Sequence, residues 1–304
     1  MDNQEQAKKP ILFLIFTFIF TWGVWLPSIL AGFGVDIGID AKTYTAITVP
    51  IGAFVPLLVA LAMVIKQKGW RGGWDFFRQA FDLKVKPVYL IAAFVIPLII
   101  HILSHYLAPL LGFPVADTLF PASLGTPSIV IAIPYFFLML IIGGGQEEFG
   151  WRGYAQAPLQ KHMGIIPASL LIGLVWGLWH MPLWIMPGDG HSTYPFFAFL
   201  IMTTSISVVY GWLYDASNQK LVTVIIFHAM SNTAAPLLPF LIAIEGVPET
   251  AYWVYAAINV LAAVIVGIVI VKAEKKTTLK TRNLSPGCSA SRGKCLLNAC
   301  RGIT

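Results

Sequence analysis

The sequence has few charged residues. Asp, Glu, Lys and Arg make up 11% of its 304 positions, whereas 57% of the positions are hydrophobic. Soluble domains carry about 25% charged and roughly 45–50% apolar residues. No segment of the chain has that soluble composition, so we do not expect a separate soluble domain. The formal charge of +6 does not indicate a nucleic-acid partner, because the cations lie in loops between apolar runs, where membrane topology accounts for them.

Cysteine is missing from the apolar part of the chain. Cys288, Cys295 and Cys300 all lie near the C-terminus, and their spacing matches no zinc-binding pattern. The polar composition around them predicts a disordered cytoplasmic tail with free thiols over residues 273–304. The spans also lack a GxSxG serine elbow, so covalent catalysis by serine or cysteine is the weaker route for any hydrolytic chemistry.

Long apolar runs dominate the sequence. Crossing a bilayer as a helix takes about 20 predominantly apolar residues. The runs that meet this length are 11–33, 44–65, 88–113, 126–146, 165–187, 195–214, 220–244 and 250–271. We therefore predict an all-α fold, a polytopic membrane bundle of about eight transmembrane helices. The membrane domain would cover residues 11–272, after a short N-terminal segment, 1–10.

The loops between these runs alternate in charge. Segment 66–87 is rich in Lys and Arg, and the tail after residue 271 begins with further lysines. The other set of loops carries carboxylates and a single cation, Lys42; these loops are 34–43, 114–125, 188–194 and 245–249. Because positively charged loops stay in the cytoplasm, we predict a multi-pass protein of the lipid bilayer with both termini cytoplasmic.

Polar residues interrupt the apolar runs at a few positions. An ionisable group inside a span costs on the order of 2.5–3.5 kcal/mol on insertion scales, so each is a candidate functional residue. The candidates are Glu147, Glu148, Arg152, His180 and His228, with Asn232 as an uncharged companion. By contrast, single histidines elsewhere are assigned to packing (His101, His105) or to solvated loops (His162, His191).

The spacing of these residues predicts that they meet. Glu147 and His180 each lie about 16 residues from a turn predicted near residue 163, which is roughly 25 Å of helix. Counted from the next turn on the same side, near residue 217, His180 and His228 also fall at similar depths, roughly 20 and 16 Å. Glu148 and Arg152 are four residues apart and should pair on one helix face, while Glu147 points elsewhere.

A carboxylate and a neutral imidazole that face one cavity can hold and deprotonate a water molecule. A second imidazole, with an amide one turn away, can donate hydrogen bonds to the oxyanion of a hydrolysed carbonyl. The alternative is a metal site in which Glu147, His180 and His228 bind a divalent ion such as zinc and leave one position open for water. The sequence has no HExxH motif, and the ligand set fits both schemes.

Three motifs occur in order: EEFGWR (147–152), WGLWH (176–180) and HAMSN (228–232). Together they resemble the CPBP family of CAAX proteases and bacteriocin-processing proteins, also called ABI proteins, whose pattern is EExxxR, FxxxH, then HxxxN or HxxxD. The resemblance covers residues 140–240, the predicted catalytic core. One departure is Trp176, where the family usually has Phe; the aromatic wall is kept but enlarged.

The resemblance implies an intramembrane endopeptidase similar to type II CAAX prenyl endopeptidases. It implies Glu147 as the base that works with His180 on water, and His228 and Asn232 as the oxyanion-binding groups. Glu148 and Arg152 would support the site. We favour a glutamate-dependent mechanism without a cofactor and keep one divalent metal as the alternative.

The substrate stays open between several peptides. The eukaryotic branch of the family removes the last three residues of prenylated CaaX proteins, and many prokaryotic relatives are linked to peptide maturation or self-immunity. A peptide or membrane-protein substrate, prenylated or bacteriocin-like, is therefore expected in a prokaryotic cell membrane. The alternative function is a non-catalytic membrane scaffold or self-immunity protein that sequesters a peptide or sensor partner. A transporter is disfavoured because the sequence shows no inverted repeat.

Overall fold

The structure is a computed structural model that describes residues 3–113, 115, 128–193, 195–238 and 251–283. It is 85% helical, and the described residues contain no strand. Among them, six helices are long and apolar enough to cross a bilayer, and two shorter apolar helices, Val130–Ile142 and Leu221–Leu237, accompany them. The predicted all-α polytopic bundle is confirmed.

The helices in chain order are α1 (Asn3–Gly32), α2 (Ala41–Ala53), α3 (Val55–Phe77), α4 (Pro87–Leu110), α5 (Ser128–Ile142), a π-helix (Phe149–Gln156), α6 (Ala157–Met163), α7 (Ile165–Trp179), α8 (Phe196–Ala216), α9 (Leu221–Leu237) and α10 (Ala251–Asn283). Short 3-10 turns occupy Arg78–Phe81, Met181–Trp184 and Gly190–Thr193. The chain divides into two compact units, Met1–Val266 and Gly267–Thr304. Every contact described below lies within the first unit.

The second predicted span, 44–65, has different ends in the structure. It consists of two helices, α2 and α3, which meet at Phe54. Pro56 lies in the first turn of α3, where its missing N–H breaks no helical hydrogen bond. Since α3 continues to Phe77, much of the predicted loop 66–87 is helical, with a kink at Gly69, where φ is 71°.

Three further predicted boundaries also differ. Helix α5 ends at Ile142 rather than 146, and a turn with Gly144 at φ 115° separates it from the segment that carries Glu147. Helix α7 ends at Trp179 rather than 187, shortly before Pro182, which cannot donate to a continuing helix. Helix α10 continues to Asn283, into the segment predicted to be a disordered tail.

Other predictions concern parts of the chain outside the described residues. These are most of the loop 114–125, the loop 245–249, and the tail from residue 284 with its three cysteines. The turn predicted near residue 163 is confirmed: Gly164 joins α6 to α7 with φ 85°, a conformation that glycine adopts readily.

Helix α7 packs closely along α8. A Cβ atom on Gly173 would lie 2.5 Å from the Thr203 carbonyl oxygen, and one on Gly177 would lie 2.4 Å from the Thr203 hydroxyl oxygen. Small residues therefore allow the two backbones to approach, as is common between membrane helices. The π-helix contacts α1, α3, α7, α8 and α9, so its side chains reach the middle of the bundle.

Polar contacts show which turns share one end of the bundle. The hydrogen-bonded pairs are Lys9–Gln67, Gln67–Tyr154, Gln160–Asp215 and Lys220–Asp82. They bring the first part of α1, the α3–α4 connection, α6 and the α8–α9 turn together. The cation-rich segment 66–87 thus lies at the same end as Lys9 and Lys220.

Candidate active site

One cavity contains all four of the predicted catalytic side chains. Glu147, His180, His228 and Asn232 line it, together with Trp176, and its volume is 640 Å³. Residues from α1, α2, α4, α5, α7, α8, α9 and α10 complete the wall. The size is within the range of small-molecule and cofactor pockets, roughly 300–1,000 Å³. The similar depths predicted for these residues agree with this shared cavity.

Glu147 is held by two indole groups. Trp176 donates its Nε1–H to the Glu147 Oε2 atom at 2.7 Å, and Trp151 donates to the same oxygen at 3.3 Å. The Glu147 backbone N–H bonds the Gly144 carbonyl at 3.0 Å. Both indoles therefore bond the same carboxylate oxygen, Oε2.

Glu148 points to a different set of partners. Its carboxylate accepts two hydrogen bonds from Arg152 Nη1, at 3.0 and 3.1 Å. It also accepts a hydrogen bond from His228 Nδ1 at 2.8 Å. The predicted Glu148–Arg152 pair is therefore present, and adjacent Glu147 and Glu148 have different surroundings, as predicted.

Arg152 is fully buried, at 0% exposure. Besides the Glu148 pair, its Nη2 donates to the Ser207 hydroxyl at 2.8 Å. Its guanidinium carbon lies 4.1 Å from the ring centre of Tyr210 and 5.3 Å from that of Trp176, within the range of a cation–π contact. The charge of Arg152 is thus compensated by one carboxylate and two aromatic faces.

The contacts of His180 define the tautomer of its neutral ring. Its Nδ1 lies 2.8 Å from the backbone oxygen of Trp176. A carbonyl oxygen can only accept, so Nδ1 must carry the hydrogen, and Nε2 is then the acceptor nitrogen of the neutral ring. An acceptor nitrogen on the cavity wall is what a water-orienting histidine requires.

The ring of His228 also bonds through Nδ1, in this case to a carboxylate, so Nδ1 carries a hydrogen. A Cβ atom on Gly144 would lie 2.2 Å from His228 Nε2, so this ring edge lies against the turn before Glu147. An oxyanion-binding role requires a hydrogen on Nε2 as well. The ring would then be an imidazolium beside Glu148.

Asn232 lies one turn after His228 on α9. Its Nδ2 donates to the carbonyl oxygen of Gly143. A side-chain amide has two N–H groups, so one of them fixes the turn before Glu147 and the other can serve a ligand in the cavity. Asn232 therefore ties α9 to the same turn that His228 contacts.

His191 was predicted to be a solvated loop residue; it lies in the loop, but its side chain is only 26% exposed. It lines the cavity, its Nδ1 lies 2.7 Å from Asp189 Oδ1, and its ring centre is 5.7 Å from that of His180. The reason is the 3-10 turn Gly190–Thr193, which returns the loop toward α7. His162 is exposed as predicted, and His101 is buried with its Nδ1 bonded to the Pro97 carbonyl.

Comparisons with known proteins agree with the motifs. The family described as "Type II CAAX prenyl endopeptidase Rce1-like" matches residues 128–234. A curated relative named CAAX prenyl protease 2, from Methanococcus maripaludis, is 27% identical over 243 residues, which is 76% of this chain and 85% of the relative.

Over these residues the chain is similar to the type II CAAX prenyl endopeptidase family.

This similarity supports an intramembrane endopeptidase. The family match covers residues 128–234, from α5 into α9, and this range contains Glu147, His180, His228 and Asn232. In this chain Trp176 stands where the family usually has Phe, and its N–H bonds Glu147, an interaction that Phe cannot make.

Sequence reasoning missed the indole contacts to Glu147. Trp151 follows Glu147 by four residues, so its approach could have been found from helical spacing. The hydrogen bond from Trp176 to Glu147 could be found only from the packing of α7 against the π-helix. No sequence signal marked Ser207 or Tyr210 as partners of Arg152.

The described residues do not form a metal site as they stand. No group of three His, Cys, Asp or Glu side chains in this part of the chain could hold a metal ion. Glu147 Oε2 is directed at two indoles, and His228 Nδ1 at Glu148. Glu147, His180 and His228, the three ligands of the metal alternative, line one cavity.

Proposed function

We propose that this protein hydrolyses a peptide bond within the membrane, with a water molecule activated by Glu147 and His180. One observation carries the proposal: the Glu147 carboxylate and the His180 imidazole line one cavity, and both are hydrogen-bonded to Trp176. The bonded atoms are Glu147 Oε2 and His180 Nδ1. Glu147 Oε1 and His180 Nε2 are then the atoms that can bind water.

The reaction follows from these atoms. Glu147 accepts a proton from the water, which His180 orients through Nε2, and the water oxygen attacks the carbonyl carbon of the peptide bond. The carbonyl oxygen becomes negatively charged, and His228 Nε2–H and the second N–H of Asn232 donate to it. When the C–N bond breaks, the proton held by Glu147 passes to the leaving amine, and the carboxylate is restored.

We propose that no metal takes part. The support is the lack of a three-ligand cluster among the described residues. A bound divalent ion would supply Lewis-acid activation of water. Metal content and chelator sensitivity of the purified protein decide this point.

A peptide segment at the bilayer is the proposed substrate. The name of the Methanococcus relative makes a prenylated CaaX peptide the first substrate to test. A bacteriocin-like peptide is the second. The alternative function is a scaffold that binds such a peptide without cleaving it.

Incubation of purified protein with membrane peptides tests the function. Prenylated and unprenylated forms of one CaaX peptide, and a set of bacteriocin-like peptides, would be analysed by mass spectrometry. Wild type should cleave at least one peptide, Glu147→Gln should cleave none, and exposed His162→Gln should match wild type. Equal product from wild type and Glu147→Gln would contradict the role of Glu147. Binding without cleavage by wild type would support the scaffold.

We also propose that the cation-rich end of the bundle faces the cytoplasm. Contacts in the first unit bring Lys9, the 66–87 segment and Lys220 to that end. The loop that contains Asp189 approaches the first turn of α2, since a Cβ atom on Gly188 would lie 3.1 Å from Lys42 Cγ. The positive-inside rule then assigns the sides, and a prokaryotic cell membrane is the proposed location.

A further inference from the structure

Trp176 is hydrogen-bonded to both residues that are proposed to activate water. Its Nε1–H donates to Glu147 Oε2 at 2.7 Å, and its backbone oxygen accepts from His180 Nδ1 at 2.8 Å. One residue therefore sets the position of the carboxylate through its side chain and of the imidazole through its main chain.

We infer that Trp176 is a positioning residue for Glu147, and that its indole N–H, rather than the bulk of its ring, carries this role. The inference rests on the proposed function. It assigns to Trp176 a task that an aromatic wall alone does not perform, since the N–H group is a hydrogen-bond donor and the rest of the ring is apolar.

The Trp176 ring is itself held in place. It is 6% exposed and makes edge contacts with His180 and His228, whose ring centres lie 5.6 and 5.3 Å away. Arg152 lies over the ring at 5.3 Å, and Tyr210 is 6.1 Å away. Groups on several sides therefore fix the indole, so its N–H is a rigid donor.

Trp151 approaches the same oxygen from the π-helix. It is fully buried, at 0% exposure, and its ring lies 5.8 Å from those of Phe13 and Trp179. Its bond to Glu147 Oε2 is longer, at 3.3 Å. Two fixed donors on a single oxygen restrict rotation of the carboxylate and orient Oε1, the atom that must accept the proton.

The physical consequence is that removal of the Trp176 donor frees the carboxylate to rotate. A misoriented base lowers the rate of the chemical step, whereas the substrate can still bind. A positioning residue should therefore affect kcat far more than KM. Both indoles donate to the same carboxylate oxygen, but the bond from Trp176 is shorter than the bond from Trp151. Loss of the Trp176 donor should therefore have the larger effect on kcat.

The sharpest test replaces Trp176 by 3-benzothienylalanine, an unnatural amino acid in which sulfur stands for the indole N–H and the ring shape is kept. We expect kcat for a cleaved peptide to fall about 10- to 100-fold, with KM and Tm within error of wild type. The same replacement at Trp151 should reduce kcat less. Trp176→Phe, the residue usual in the family, should lose at least as much, and Trp70→Phe, at an exposed position, should lose nothing.

The outcomes separate the inference from the proposed function. If Glu147→Gln is inactive but the benzothienyl variant at Trp176 keeps the wild-type kcat, the positioning role is wrong and the function stands. A rise in KM with unchanged kcat would make Trp176 a substrate-binding residue and would also overturn the inference. If Glu147→Gln is fully active, both proposals fail.

Discussion

His228 donates a hydrogen bond from Nδ1 to the Glu148 carboxylate at 2.8 Å, across 80 positions of sequence. Both side chains are buried, with exposures of 5% and 0%. Glu148 is therefore shared between His228 on α9 and Arg152 on the π-helix. Glu148, which was predicted to support the site, therefore connects Arg152 to the proposed catalytic residue His228.

Replacing Arg152 by Leu should destabilise the protein by about 3–5 kcal/mol, because the buried Glu148 carboxylate would lose its guanidinium partner and keep only His228. Thermal unfolding in detergent measures this. The double variant Arg152→Leu with Glu148→Leu should recover part of the loss, although His228 then lacks its partner. Arg78→Leu is the matched control, since the Arg78–Asp75 pair is exposed and should matter little. No recovery in the double variant would argue against the pairing.

Gly144→Ala should reduce activity strongly. The added Cβ would lie 2.2 Å from His228 Nε2, at a backbone φ of 115°, so the turn or the His228 ring must move. Gly153→Ala, in the π-helix, is the control, because its Cβ would meet atoms only at 3.4 Å or beyond. Comparable peptide cleavage by Gly144→Ala and wild type would show that the turn tolerates the change and that His228 does not need this position.

His228→Ala distinguishes the two mechanisms. If His228 binds the oxyanion, the variant should lose on the order of 10²–10³-fold in turnover, the typical loss for one such donor, and metal content should not change. Elemental analysis of wild type and variant, with cleavage assays in the presence and absence of a chelator, measures both. A stoichiometric ion that disappears with His228 would replace the metal-free scheme by a metal-dependent one. Undiminished cleavage by the variant would remove His228 from both.

Topology can be measured by cysteine labelling. In a background in which Cys288, Cys295 and Cys300 are replaced by Ser, new cysteines at Lys68 and Lys275 should be protected from an impermeant reagent in intact cells. A cysteine at exposed Asp36 should be labelled and serves as the control. Labelling of Lys68→Cys from outside would reverse the proposed orientation.

The Asp82–Lys220 ion pair predicts a pH dependence of stability. The Lys220 ammonium, with help from the Lys84 backbone N–H, lowers the pKa of Asp82 below its ordinary value of 3.8. A lowered carboxylate pKa stabilises the folded state above that ordinary value, and the contribution is lost as pH falls through the lowered pKa. Asp82→Asn should therefore lower Tm slightly at pH 7, and the difference from wild type should shrink as pH falls below 3.8. A difference that stays constant as the pH is lowered through this region would show that charge is not its source.

The membrane helices and part of the candidate site could be predicted from the sequence. Apolar run length identified the membrane helices, because a helix must be long enough to cross the hydrocarbon core. Spacing by four residues identified the Glu148–Arg152 pair, because the interaction is local. The similar depths of Glu147, His180 and His228 followed from counting helical rise between turns. These inferences depend on chain geometry within one element or one hairpin.

Only the tertiary structure decided how the polar groups are connected. The sequence placed Glu147 and Trp176 on neighbouring helices, but whether an indole N–H meets a carboxylate oxygen depends on helix rotation and side-chain rotamers. Trp151 and Arg152 lie in a π-helix, Phe149–Gln156, that no residue pattern predicted. His191 entered the cavity wall because a short turn folds its loop back. Side-chain direction at a site is set by long-range packing, and the order of residues along the chain does not encode it locally.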